Sequence, residues 1–210
     1  MGVHVWAFLG VAALVIIAPG PDTVLVTKNA VLHGRRAALA SALGVNTGLV
    51  IWTVTAALGV AAVVRESAVA FSVLKLIGAA YLVWLGVQAL RAARLRTARE
   101  PSSAAQSRPP IGALLGYRQG LLSNLGNPKI AVFFTGLLPE FVSSHVSVLG
   151  PFLLLGGMFV LMNVVWLCTY AVVAVKISSV LTRPSVKAAL DSLTGVVLVG
   201  LGVRLALERR

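Results

Sequence analysis

The stretch Pro19-Gly20-Pro21-Asp22 lies inside the first long apolar run of this chain, roughly residues 3–27, where a continuous membrane-spanning helix would be expected. Both prolines lack a backbone donor, and each disfavours the α conformation in the residue before it. The glycine loosens the helix further, and a carboxylate follows at once. Broken backbone beside an acid is costly at membrane depth and is typical of a polar cavity. The stretch therefore predicts a broken helix with a functional group at the break.

The composition indicates an integral membrane protein. Of the 210 residues, 58% are hydrophobic and 11% are charged, and the mean hydropathy is +0.94. Soluble domains carry about 25% charged residues, so this chain lacks the side chains to cover a soluble surface. The formal net charge of +12 would favour nucleic-acid binding in a soluble protein. Here most Lys and Arg residues lie in short connections between apolar runs, which fits a protein in a lipid bilayer, and no nucleic-acid partner is expected.

Six apolar runs are long enough to cross a bilayer core, which takes about 20 residues of helix. A basic, flexible linker at 91–110 separates a first three-helix unit, 1–90, from a second, 111–210, within one membrane domain. We expect a short basic loop at 28–36, a tight turn at 65–67 and a polar turn at 139–146. The runs lie at approximately 3–27, 37–64, 68–90, 111–138, 147–175 and 186–207. Most basic residues follow the first, third and fifth runs, so the positive-inside rule places both termini on the non-cytoplasmic side.

A second break, Asn127-Pro128-Lys129, interrupts the fourth run 107 residues after Gly20-Pro21-Asp22. Because each half has an odd number of spans, the two halves insert with opposite orientation. Paired interrupted helices in such inverted repeats are typical of transporters that bind substrate near the midplane. Two simple proline kinks are the alternative, but their equivalent positions favour the repeat. The predicted fold is an all-α integral membrane protein with six transmembrane helices in two inverted three-helix repeats, its first and fourth helices broken.

The two breaks carry opposite charges, Asp22 and Lys129. If they face each other near the pseudo-twofold axis, each offsets much of the burial cost of the other. Our hypothesis is that the pair is both a structural clasp and an element that responds to protons or substrate. The alternative is that Lys129 extends its ammonium to the membrane interface.

Four blocks of sequence resemble the LysE/RhtB family of amino-acid exporters. They are Ala18-Pro19-Gly20-Pro21-Asp22, Gly34-Arg35-Arg36 with Gly44 and Gly48, Lys75 to Gly86, and Tyr117-Arg118-Gln119-Gly120 with Asn124 to Lys129. The last two apolar runs match only in length and hydropathy. The resemblance implies a small bacterial carrier in the inner (plasma) membrane that exports amino acids or close analogues by proton antiport. Members of the family differ in substrate, and no residue here discriminates among them.

An amino-acid site needs partners for an ammonium and for a carboxylate. The candidates for the ammonium are the carbonyls freed around Pro19, Gly20 and Pro21, the Asp22 carboxylate and the Asn46 amide. The candidates for the carboxylate are Lys129, Asn127 and the helix N-terminus at Pro128, because helix N-termini attract anions. Secondary candidates are Lys75, Tyr81 and Asn163. As alternatives, Lys75 extends its ammonium to the lipid headgroups, and the amides of Asn46 and Asn163 bond a neighbouring helix.

The charged and nucleophilic residues of the chain also bear on other classes of protein. A carrier of other small ions or metabolites is an alternative, although metal ions would need more intramembrane acids than Asp22. A membrane enzyme would need a nucleophile, an acid pair or a metal cluster. The single cysteine and the three scattered histidines form none of these, so no enzyme, metal or cofactor is expected. A non-transporting membrane assembly protein is a further alternative. Stripes of small residues predict close helix packing, within the bundle or in a homodimer.

Overall fold

The computed structural model describes residues 5–66, 68–96, 111–142, 148–176 and 184–207, and all regular structure in these ranges is helical. After α5 the chain continues through one π-helical turn and one 3₁₀ turn, Phe133–Leu137 and Leu138–Phe141. Helices satisfy their own backbone groups without water, as a bilayer demands. The all-α class is therefore confirmed for the described residues. The helices are α1 Val5–Ile17, α2 Pro21–Glu66, α3 Ala68–Arg96, α4 Ala113–Leu125, α5 Pro128–Val132, α6 Leu149–Lys176 and α7 Pro184–Leu207.

Four helical stretches in the described ranges are long and apolar enough to cross a membrane, where the apolar runs predict six. They are Pro21–Gly59, Leu76–Leu95, Leu149–Ala174 and Ala188–Leu207. The difference lies at the two breaks, because the described part of α1 and the whole of α4 have 13 residues each. At ~1.5 Å per residue each is about 20 Å long, which is shorter than a bilayer core of about 30 Å.

The basic segment 28–36 is helical except at Gly34, so the predicted loop is wrong. Gly34 has φ 79° and ψ −174°, the one positive φ among the described residues. Glycine adopts this conformation at little cost. It divides α2 into residues 21–33, which we call the N-terminal segment of α2, and residues 35–66. Lys28, Arg35 and Arg36 are exposed, so their charge is compatible with a helix and does not require a loop.

Three further boundaries differ from the prediction. α2 continues through Glu66 and α3 begins at Ala68, so a helix occupies most of the predicted turn, and Ser67 lies outside the described residues. α3 continues through residues 91–96 of the predicted linker, while 97–110 are outside the described ranges. The predicted polar turn starts as a buried 3₁₀ turn, because Phe141 and Val142 pack into the apolar core.

Glycines allow two pairs of helices to pack backbone against backbone. A Cβ on Gly44 of α2 would collide with the carbonyl of Tyr117 in α4, and one on Gly120 of α4 would collide with Ser41 of α2. α3 and α7 meet in the same way, since a Cβ on Gly86 would lie 2.7 Å from the carbonyl oxygen of Gly195. The small-residue stripes in the second and fourth apolar runs are therefore packing faces within one chain.

Two apolar clusters hold the broken helices in place. One packs Phe133 and Phe134, just after α5, against Phe159 of α6, with ring centroids 4.4 Å apart in a tilted pair and 5.6 Å apart in an edge-to-face pair. The other buries Val26 and Ala30 of the N-terminal segment in one cluster with Leu167 and Ala171 of α6, among others. The breaks thus lie in a packed part of the protein.

Candidate functional site

The breaks between α1 and α2 and between α4 and α5 are brought together by hydrogen bonds between them. Each second helix starts with a proline, Pro21 or Pro128, at a position where the missing N–H is not needed. Asn127 caps α5, since its Oδ1 accepts from the backbone N of Lys129 at 3.1 Å. Each break is therefore an ordered helix start, directly followed by a charged residue.

In the part of the chain that the structure describes, the Asp22 carboxylate is bonded by side chains of the second break and of the last turn of α4 before it. Its carboxylate, in a side chain only 8% exposed, accepts from Ser123 Oγ at 2.7 Å, Asn124 Nδ2 at 2.9 Å and Asn127 Nδ2 at 2.8 Å. Asp22 also lies in the first turn of α2, where the helix dipole favours negative charge. Three donors and a helix N-terminus replace the water that burial removes.

Lys129 is bonded in turn by the backbone of the first break. Its side chain is 8% exposed, and Nζ donates to the carbonyls of Val15 at 3.0 Å and Ala18 at 2.9 Å. Carbonyls at a helix C-terminus lack partners within the helix and favour a cation. Gly20 leaves room for this contact, because a Cβ there would lie 3.1 Å from Nζ. Lys129 therefore caps the end of α1.

Asp22 and Lys129 thus each bond the opposite break, and neither is the hydrogen-bond partner of the other in the described part of the chain. The side chain of Asp22 holds the start of α2 against α4, while that of Lys129 holds α5 against α1. The resulting clasp is reciprocal and indirect. Its part in transport remains a prediction.

Of the other predicted site residues, Pro19 and Gly20 belong to this cluster. The Pro19 carbonyl accepts from Thr194 Oγ1 of α7 at 3.0 Å, so a third element reaches the first break. Pro21 is exposed and Pro128 half-buried. In the described ranges no three His, Cys, Asp or Glu side chains gather to hold a metal ion.

The predicted amides form a separate pair. Asn163 Nδ2 of α6 donates to Asn46 Oδ1 of α2 at 2.9 Å, and Asn46 Nδ2 donates to the Ala42 carbonyl at 2.7 Å. This is the helix-to-helix bond considered as the alternative for both residues. The ring of Tyr81 packs against Trp84 at 5.2 Å. Lys75 lies in α3, and its side chain is outside what the structure describes. A role of these residues in binding stays a prediction.

Ser123, Asn124 and Thr194 join the cluster without having been predicted as site residues. Asn124 and Asn127 are three residues apart at the end of α4, so their spacing within the quoted block was a usable signal. Ser123 meets Asp22 across 101 residues of sequence, and Thr194 meets Pro19 across 175. Such contacts depend on the tertiary packing, and the local sequence carries no sign of them.

Gly48 of α2 leaves the space that the Asn124 side chain occupies. A Cβ at Gly48 would lie 2.6 Å from Asn124 Oδ1 and 2.9 Å from its Cβ. We expect Gly48→Ala to shift this amide away from Asp22 and to slow transport about tenfold, because a hydrogen bond to a charged group contributes about 1.5–3 kcal/mol. Gly59→Ala is the matched control, because Gly59 is in the same helix and a Cβ there meets nothing within 4 Å. Equal transport rates in reconstituted vesicles would contradict the prediction.

The cluster combines a carboxylate that accepts hydrogen bonds with an ammonium that donates them. All of these bonds are made to neutral groups, which a ligand of opposite charge can displace. A small molecule with both an ammonium and a carboxylate has the complementary chemistry. Helical membrane proteins with charged groups at paired interrupted helices form a recognised class of transporters.

The chain belongs to the LysE-type translocator family, whose profile matches residues 13–209. It is 33% identical to the homoserine/homoserine lactone efflux protein of Salmonella typhimurium, with 97% of this chain and 96% of that protein covered. It is 29% identical to the threonine efflux protein of Escherichia coli, with 96% and 98% covered. A membrane protein of Bacillus subtilis, YrhP, is 31% identical over 96% of this chain and 98% of its own length. No solved structure matches the chain.

Proposed function

We propose that this protein exports amino acids or close analogues from the cytoplasm through the site between the two helix breaks. Its membership in a translocator family and the names of its efflux relatives support an exporter. The observation that carries the site is the reciprocal bonding of the two breaks by Asp22 and Lys129. A translocator family also fits the expectation that the chain is not an enzyme.

Substrate binding exchanges the bonds of the clasp for bonds to the ligand. The ammonium of the substrate takes the place of Ser123 or Asn127 at the Asp22 carboxylate. The substrate carboxylate takes the place of the α1 carbonyls at Lys129 Nζ, and the N-terminus of α5 adds to its attraction. Because both partners of the clasp are released together, a zwitterion opens it more effectively than an ion of a single charge.

Proton antiport is part of the proposal. A proton on Asp22 turns one acceptor oxygen into a donor. The amide groups of Asn124 and Asn127 then face a neutral carboxyl, and the ammonium of a bound substrate loses its charged partner. Proton entry thereby favours release of the substrate on the outer side, and loss of the proton prepares the site for the next molecule.

The proposed setting is the bacterial inner membrane, with six spans in two inverted repeats and both termini on the non-cytoplasmic side. The positions of the short helices support a repeat. α1 ends at Ile17 and α4 ends at Leu125, which is 108 residues later, and the prolines that begin the following helices, Pro21 and Pro128, are 107 residues apart. The excess of Lys and Arg in alternate connections supports the orientation. A homodimer is compatible with this arrangement but is not required by it.

Counterflow into proteoliposomes tests the function. We expect vesicles that contain this protein and are loaded with an unlabelled amino acid to accumulate the same labelled amino acid, from a panel of threonine, homoserine, lysine, leucine and cysteine. If protons are exchanged for substrate, an acidic exterior should accelerate the efflux of amino acid from loaded vesicles. Absence of flux for this panel and for the remaining amino acids, with or without the pH gradient, would contradict an amino-acid exporter. It would favour a carrier of other small ions or metabolites, or a non-transporting assembly protein.

A further inference from the structure

We propose that the N-terminal segment of α2, residues 21–33, moves as a gate, and that the polar seam between this segment and α4 is the route by which the substrate leaves or enters the site. The inference rests on the proposed function and adds to it a moving element and a path. It assigns Asn29 and Gln119, which lie away from the charged clasp, as the residues that close the path.

The seam is polar along two helical turns. Asn29 is 1% exposed, and its Nδ2 donates to Ser41 Oγ at 2.8 Å and to Gln119 Oε1 at 3.0 Å. Asn29 follows Asp22 by seven residues and therefore lies on the same helix face, about 10 Å along the axis. On α4, Gln119 precedes Ser123 by four residues and shares its face in the same way. Two rows of polar side chains thus face each other.

A permanent contact between these helices would not need such residues. Polar side chains inside a membrane protein either bond a neighbouring helix or line a polar path, so the nature of the surrounding contact distinguishes the two roles. The same α4 makes a permanent contact with residues 35–66 of α2 through glycines, where backbone meets backbone at Gly44 and Gly120. The bonds of Asn29, by contrast, join side chains that water or a polar substrate can satisfy equally well.

Both ends of the segment have breaks at which the backbone can pivot. At one end the helix is interrupted between Ile17 and Pro21, and at the other Gly34 has its positive φ of 79°. Hinges in closing domains are short segments of this kind that absorb a change in backbone angles. A neighbouring face of the segment, with Val26 and Ala30, is apolar and packs in one cluster with Leu167 and Ala171 of α6. Thr27 Oγ1 adds a bond of 2.8 Å to Tyr170 OH of the same helix. Opening of the seam therefore separates the segment from α4 and leaves its contact with α6 intact.

Labelling of a cysteine in the seam tests the gate without any transported substrate. In a Cys168→Ser background, we expect Asn29→Cys to react with a charged, membrane-impermeant methanethiosulfonate reagent in membrane vesicles of one orientation. Ala79→Cys is the matched control, because Ala79 in α3 is also 1% exposed but packs in the apolar core. The gate requires labelling at Asn29→Cys to be at least about tenfold faster than at Ala79→Cys, since only a populated open state exposes a buried thiol. Equal rates would overturn the proposal.

Locking of the seam gives a second, independent test. In the Asn29→Cys/Gln119→Cys variant, oxidation or a short bifunctional thiol reagent should join the segment to α4. Counterflow of labelled threonine and homoserine should stop in the joined protein and return when a disulfide is reduced, so that each sample is its own folding control. Full flux in quantitatively joined protein would contradict a moving segment. If the wild-type chain carries no amino acid at all, the proposed function fails, whereas the labelling experiment still decides whether the segment opens.

Discussion

Asp22→Asn is expected to abolish proton-driven export and to lower the stability of the protein. The substitution removes the charge that would meet the substrate ammonium, and it places an N–H opposite donors such as Asn124 Nδ2 and Asn127 Nδ2. It also leaves the buried ammonium of Lys129 without an acid in the clasp. Hydrogen bonds to a charged group contribute about 1.5–3 kcal/mol each, and the substitution weakens or removes those that Asp22 accepts. Flux in proteoliposomes and thermal unfolding in detergent would measure the two effects separately.

Two further variants distinguish loss of transport from loss of fold. Asp22→Asn combined with Lys129→Gln neutralises both breaks, and we expect it to recover much of the lost stability without recovering export. Ser123→Ala keeps the carboxylate and removes one of its three donors, at a cost of about 1–2 kcal/mol, and should keep measurable export. Proton-driven export by Asp22→Asn at the wild-type rate would contradict both the coupling role and the binding role of this carboxylate.

Much of the site was predictable because it is encoded locally. Proline, glycine and a charged residue at two positions in otherwise apolar runs predict the breaks at Pro19-Gly20-Pro21-Asp22 and Asn127-Pro128-Lys129, and the structure interrupts its helices at both. The chemistry of each break follows from its own residues. The partner of each charge does not, because the donors to Asp22 and the carbonyls that accept from Lys129 come from the opposite half of the chain.

The incorrect prediction of a loop at 28–36 has a clear physical cause. Basic residues at 28–36 indicate a loop if charge is taken to be too expensive for a helix inside a membrane. An exposed helix face, however, carries the same charge without burying it. Helical geometry then places Asn29 on the buried side while Lys28 is exposed. The interruption falls at Gly34 alone, where the positive φ suits glycine. Charge thus indicates the depth of a segment in the bilayer but does not determine its secondary structure.

The glycine contact between α2 and α4 predicts the largest effect on folding. We expect Gly120→Ala to destabilise the protein strongly, because the added Cβ would collide with the carbonyl of Ser41 and both helices meet there through backbone atoms. Overpacking of a well-packed site costs about 1–3 kcal/mol or more, and a contact with backbone leaves no side chain that can move aside. The yield of monodisperse protein and its melting temperature in detergent measure the effect.

Gly157→Ala is the matched control for this contact. Gly157 is exposed on α6, and a Cβ there meets nothing within 4 Å, so the same substitution changes only the helix propensity. Alanine is favoured over glycine in a helix interior by about 1 kcal/mol, so the control should be neutral or slightly stabilising. If the glycine contact between α2 and α4 is rigid, Gly120→Ala therefore lowers the melting temperature while Gly157→Ala leaves it unchanged or raises it slightly. Equal melting temperatures would mean that α2 and α4 separate easily at Gly120. The glycine contact would then not be permanent, and it would no longer differ physically from the polar seam at Asn29.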